Sequence, residues 1–251
     1  MSSSLNLCQQ PTRYAPLDHK PLYIAVEGPI GVGKTTLVHR LRNHINANLV
    51  LEVVEDNPFL GRFYEDPSRY ALQTQLFFLM SRFKQQKELN DLKDTKDFLS
   101  DYHLLKDRIF AKLTLASEEL ALYDEVYGSL ATSVRPPDVL VYLHAEEDEL
   151  MRRIAKRARP FEDNFDRAYL SSLSACYQQH FERYEASPIL MLNTTEIDYV
   201  TDDQPIADIY QELQRLAANG RAGFEREQCV SRNFWPTPPT NAQVFQEPKQ
   251  A

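Results

Sequence analysis

The sequence predicts an α/β domain in three layers, a five-stranded parallel sheet with helices on both faces. Three observations carry this. Five short apolar runs of strand length alternate with longer stretches of helical period. The first run ends in a glycine-rich loop that opens directly into a helix. The chain has 251 residues, enough for one large hydrophobic core.

The elements follow in order. Residues 1–20 are polar and Pro-containing and read as a flexible leader. PLYIAVEG (21–28) is a buried strand. TTLVHRLRNHIN (35–46) is a helix with Leu37, Val38, Leu41 and Ile45 on one side. LVLEVVED (49–56) is the second strand, and a long helix is expected over about 69–93. KDFLSDY (96–102) is the third strand, followed by a second long helix over about 106–130. DVLVYLHA (138–145) is the fourth strand. Two charged helices over 146–159 and 163–186 lead to the fifth, PILMLNT (188–194). The last helix ends near Gly220, giving a domain over 21–220 and a Pro-containing, disordered tail over 221–251.

Composition narrows the function. The net charge of -8 argues against coating nucleic acid, which needs an excess of Lys and Arg. Cys8, Cys176 and Cys229 are scattered and odd in number, so they form neither a disulfide framework nor a spaced metal site, and a reducing cytoplasm fits. No apolar run is long enough to span a bilayer.

The loop Gly28-Pro29-Ile30-Gly31-Val32-Gly33-Lys34-Thr35-Thr36 matches G-x-x-x-x-G-K-[ST], between a strand and a helix as that motif requires. Its glycines let successive N–H groups converge on an anion, and the helix adds its positive end. Lys34 then meets the β- and γ-phosphates of ATP, and Thr35 holds Mg²⁺. Asp101, at the end of the third strand, is either the acid partner of that metal or a plain strand-end acid.

Ligands in open parallel sheets bind beyond the carboxyl ends of the strands. Glu55, read as ending the second strand, is either a base for an attacking hydroxyl or a cap on the turn at Asn57-Pro58. Gln75 and Arg82 are seven apart and share a helical face; the amide can read a nucleobase edge or simply face water. RRIAKRAR (152–159) holds five basic residues in eight, either a solvated face or a lid closing on a phosphoryl group.

Together GPIGVGKTT, EDNPF, the spacing Tyr64…Gln75…Ser81-Arg82, SDYHLLKDRIF and RIAKRARPFE resemble the deoxyribonucleoside kinases, most of all the bacterial deoxyadenosine/deoxyguanosine kinases, over about residues 21–194. The resemblance implies a P-loop kinase with an Arg-rich lid that moves the γ-phosphoryl of ATP·Mg²⁺ to the 5′-hydroxyl of a deoxyribonucleoside. It implies Glu55 as general base and Gln75, Arg82 and Asp107 around the base. Tyr64 and Glu162 fall to the sugar 3′-hydroxyl, and Arg153, Arg157 and Arg159 to the phosphates. Phe59 or Leu60 packs under the base with help from Phe110. A homodimer through the two long helices is also implied. The Arg82/Asp107 couple ranks purines first, deoxycytidine second and thymidine last. One position departs: the family places an arginine after the third-strand acid, and this chain has Tyr102, which leaves Lys106 or a lid arginine to substitute. Two other classes stay open, a nucleoside monophosphate kinase and a nucleotide-binding regulator without turnover.

Overall fold

The computed structural model describes residues 21–222 and 230–231, apart from 53, 55, 93–95, 160–161 and 163–164. The leader and most of the tail therefore lie outside the described residues, as does Glu55.

β1 (Tyr23–Glu27) is wholly buried and lies mid-sheet, as an unbroken apolar run requires. Its two sides serve two cores. Ile24 and Val26 pack with Leu37 and Leu41 of α1 (Lys34–Arg42) and Ile206 and Leu213 of α8 (Gln204–Ala222). Tyr23 and Ala25 face the other way, toward Ile109 of α4 (Leu105–Thr114) and Tyr177 and Phe181 of α7 (Arg167–Phe181). This alternation is the three-layer arrangement seen from one strand.

The remaining strands are β2 (Asn48–Val50), β3 (Phe98–Ser100), β4 (Val139–His144), β5 (Ile189–Asn193) and β6 (Val230–Ser231), and all pairings are parallel. The order is β2-β3-β1-β4-β5-β6. The five expected strands are present, and two residues of the expected tail add a sixth beside β5. Because β1 lies between β3 and β4, successive crossovers leave it to opposite sides and open a crevice at the carboxyl edge.

Three features differ from expectation. β2 stops at Val50 rather than running to Asp56. β2 pairs only with β3, which itself ends at Ser100 opposite Val50, and beyond the ladder the Glu52 N–H donates to the Asp101 side chain at 2.8 Å. The long helix expected over about 69–93 is α3 (Pro67–Leu92), with Pro67 in its first turn where proline is tolerated, and a short helix that was not expected, α2 (Leu60–Glu65), precedes it. The helix expected over 106–130 breaks into α4 and α5 (Ser117–Ala131) at extended Leu115 and Ala116, where Glu119 Oε2 accepts the Ala116 N–H. α6 (Glu147–Arg157) carries the basic lid sequence and ends in left-handed Ala158.

Candidate active site

The carboxyl edge of the sheet opens into a cavity of about 960 Å³, room for a nucleotide and a second small ligand. At one end sits the phosphate loop. Gly33 has φ +101°, and a Cβ there would lie 2.3 Å from the Tyr199 hydroxyl; Gly28, at φ +149°, would put one 2.3 Å from the Leu143 carbonyl. Both positions therefore need glycine for space as well as for backbone angle.

Lys34 Nζ donates to the Gly28 and Pro29 carbonyls at 2.7 and 3.0 Å, which holds the ammonium at the mouth of the loop. Burial, with the Lys106 charge adding, lowers Lys34 to about 8. Thr35 Oγ1 donates to Asp101 Oδ2 at 2.5 Å, so the two residues expected to serve a metal stand side by side. The Val32 carbonyl accepts from Arg153 Nη1 at 3.1 Å, Tyr199 Oη at 3.1 Å and Thr194 Oγ1 at 3.4 Å. One backbone oxygen thus ties the loop to the lid helix and to the segment after β5. Arg153 also bonds Glu149 and Thr194, so its described bonds brace the loop rather than point across the cavity.

Toward the other end Glu52 lines the cavity wall. The early stop of β2 makes Glu52 the first acid beyond the strand. Its Oε2 accepts from Lys106 Nζ at 2.7 Å and its Oε1 from Arg82 Nη2. Burial alone would raise the Glu52 carboxyl, but the Arg82 guanidinium and Lys106 ammonium outweigh it and hold the group well below the usual carboxylate range. Arg82 also pairs with fully buried Asp107 and lies 4.5 Å above the Phe78 ring.

The other expected residues fall as follows. Ile30, Gly31, Gly33, Lys34, Thr35 and Thr36 line the cavity, with Tyr64, Gln75, Phe110, Arg157, Arg159 and Glu162. Arg157 holds Glu162 through Nη2 at 2.5 Å and Nε at 3.2 Å, so this lid arginine pairs with an acid of the site. Burial, then the nearby Glu162 charge, pushes the Tyr64 hydroxyl up to about 12. Phe59 is a correction: its N–H bonds Asn57 Oδ1 ahead of α2, and the turn of that helix sends Leu60 and Phe63 to the cavity wall instead.

Tyr102 does not enter the site. It is buried, and its hydroxyl donates to Gln85 Oε1 on α3 at 2.7 Å. The cation in this place is Lys106, one helical turn on. Behind it Glu27, fully buried, accepts from the His103 N–H, from Gly28 N–H at 3.3 Å and from the Tyr177 hydroxyl at 3.4 Å. Burial raises its carboxyl, partly offset by Lys106 and Lys34. Glu27 thus fastens the 101–103 segment, and with it Asp101 and Lys106, to the root of the phosphate loop. Sequence reasoning also missed residues 195–201, which line the cavity beside the loop and carry no motif.

A family model for deoxynucleoside kinases matches residues 24–218. The chain belongs to the deoxynucleoside kinase family. Among its relatives it is 37% identical over 179 residues to the deoxyguanosine kinase of Bacillus subtilis (strain 168), covering 70% of this chain and 86% of that one. It is 31% identical over 198 residues to the deoxyadenosine/deoxycytidine kinase of the same organism, covering 76% and 90%. A solved structure of deoxyadenosine kinase from M. mycoides with bound dATP superimposes with a TM-score of 0.68 at 25% identity, covering 77% of this chain and 99% of that one. The kinase fold, the parallel sheet and the phosphate loop are therefore those expected from the sequence. Among the described residues no helix is long and apolar enough to cross a membrane.

Proposed function

We propose that this deoxynucleoside kinase moves the γ-phosphoryl of ATP to the 5′-hydroxyl of a purine deoxynucleoside, with deoxycytidine a weaker acceptor. The observation that carries this is the buried Glu52–Lys106–Arg82–Asp107 network facing the phosphate loop across one cavity.

Glu52 takes the role that the sequence assigned to Glu55. Its carboxylate accepts a hydrogen bond from the 5′-hydroxyl and orients the oxygen for in-line attack. Its low basicity suits a loose phosphoryl-transfer transition state, in which the hydroxyl needs positioning more than early deprotonation. Lys106 steers Glu52 and places positive charge near the reacting oxygen, where the family arginine would otherwise stand. Lys34 and Arg159 face the transferring group, while Arg153 braces the loop and Arg157 positions Glu162. Tyr64 and Glu162 bind the sugar 3′-hydroxyl; Gln75 and Arg82 read the base between Phe110 and Leu60, with buried Asp107 holding the Arg82 guanidinium from behind. Thr35 and Asp101 offer hard oxygen donors of the kind Mg²⁺ takes alongside phosphates, and the ion would neutralise charge on the triphosphate. Residues 195–201 border the place of the ATP base.

A monophosphate kinase is disfavoured by charge. Arg82 and Lys106 are taken up by Glu52 and Asp107, and Arg157 by Glu162, so these three cations of the acceptor end are already paired with acids. We also assign a homodimer through α3 and α5. Tyr123 is the residue α5 buries fully, whereas Leu122 is 51% and Met80 of α3 50% exposed. The test is incubation with Mg·ATP and each deoxynucleoside or its 5′-monophosphate, with product identification. A 5′-monophosphate formed from deoxyadenosine or deoxyguanosine supports the proposal; products formed from monophosphates alone overturn it.

A further inference from the structure

We propose that the Thr114 hydroxyl holds the Gln75 amide in one orientation and so sets which base edge the pocket accepts. The inference rests on the nucleoside-binding reading above and concerns a residue outside the cavity wall.

Thr114 closes α4. Its Oγ1 lies 2.9 Å from the Phe110 carbonyl, four residues back. A carbonyl only accepts, so the hydroxyl proton is committed there. Toward Gln75 the oxygen has lone pairs alone. The Gln75 atom 3.2 Å away must therefore be the amide nitrogen; the amide oxygen there would face lone pair against lone pair. Gln75 is 3% exposed, its Oε1 is without a hydrogen-bond partner, and its side chain lines the cavity. The amide thus presents a fixed acceptor to the base, with its second N–H beside it.

A base edge must place a donor opposite Oε1 and an acceptor opposite the N–H. Adenine offers an exocyclic donor and a ring acceptor; guanine offers an exocyclic acceptor and a ring donor, the reverse order. An amide free to turn over reads both orders. A held one reads one order for a given base placement, and the mismatched base leaves a buried acceptor facing another acceptor. Thr114 is then a positioning residue for selectivity between amino-bearing and keto-bearing bases.

Thr114→Val keeps the side-chain shape and removes the acceptor; Thr114→Ser keeps the oxygen and its bond to the Phe110 carbonyl. We would measure kcat/KM for deoxyadenosine and deoxyguanosine in each, and the affinity of each nucleoside without ATP by calorimetry. Whichever purine the unaltered chain prefers, the preference should fall about tenfold in Thr114→Val, the worth of one hydrogen bond, and stay within about twofold in Thr114→Ser. Thr114→Ala, checked by thermal melting, repeats the removal should the valine not fold. An unchanged ratio, or equal loss for both purines in both measurements, overturns the proposal. Failure of the unaltered chain to phosphorylate either purine would instead count against the kinase reading, with the ratio still read from binding.

Discussion

Replacing Glu52 with Gln separates charge from shape at the centre of the site. Glutamine keeps an acceptor oxygen for Lys106 or Arg82 but cannot neutralise either. The three side chains are 13%, 6% and 6% exposed for Glu52, Arg82 and Lys106, so water screens the lost charge poorly. Outright rupture of a buried pair costs about 3–5 kcal/mol. Arg82 keeps Asp107 and the amide keeps one bond, so we expect about 2 kcal/mol, or roughly 4–8 °C in Tm for a chain of this size. The effect on turnover should be larger, about 10²–10⁴ in kcat, because the group that aligns the hydroxyl is gone. The pH dependence has a definite sign. The folded carboxyl lies below its unfolded value, so the stabilisation is complete above about pH 4–5 and fades as pH falls through the folded value. The gap in Tm between the two proteins should therefore be flat near neutrality and narrow in acid. Steady-state ADP release and melting curves read both, with Glu55→Gln in parallel. A Glu52→Gln enzyme within about threefold of the original, beside a crippled Glu55→Gln, would refute the assignment.

Three further outcomes follow from the same geometry. Lys106→Met should lower kcat about 10–100-fold, whereas Tyr102→Phe should leave kcat within about twofold and cost only about 1 kcal/mol, since its hydroxyl bonds Gln85; initial rates and melting separate the two. Lys34 lies near 8 because burial disfavours its charge, and a triphosphate would raise it. Binding of Mg·ATP should thus take up protons at about pH 8–9 and none near pH 6, where Lys34 is already charged; calorimetry in buffers of different ionisation enthalpy checks this. Leu122→Glu should convert a dimer to a monomer, seen as a halved mass by light scattering, and an unchanged mass would move the interface away from α5.

Much of this molecule was legible in its sequence because strong local signals coincide. The run YIAVE, the loop glycines and the helix beginning at Lys34 fix the phosphate site by periodicity and motif, and their places in the fold match. Thr35 and Asp101 meet because Asp101 directly follows β3 while Thr35 opens the helix into which the loop after β1 runs. The acid of the second strand was harder. LVLEVVED is apolar on both sides of Glu52, so nothing local says the strand ends at Val50. The end is set by the partner strand, distant in sequence: β3 stops at Ser100 opposite Val50, and Asp101 just beyond it takes the Glu52 N–H. Lys106 was visible as a cation on the first turn after that acid, but its contact with Glu52 depends on the same long-range placement. The bracing of Val32 by Arg153, Thr194 and Tyr199 joins three separate elements and left no pattern to read. The lid arginines show the same limit: RRIAKRAR announces positive charge, whereas only the fold reveals that Arg153 and Arg157 are already paired.

The most direct test of the account is a one-pot competition. Equal amounts of deoxyadenosine, deoxyguanosine, deoxycytidine and thymidine are offered with limiting Mg·ATP, and the products are identified early in the reaction. The account predicts purine 5′-monophosphates first, deoxycytidine monophosphate behind them and thymidine monophosphate last. Thymidine monophosphate in the lead, or ATP consumed with no nucleoside phosphorylated, would contradict it.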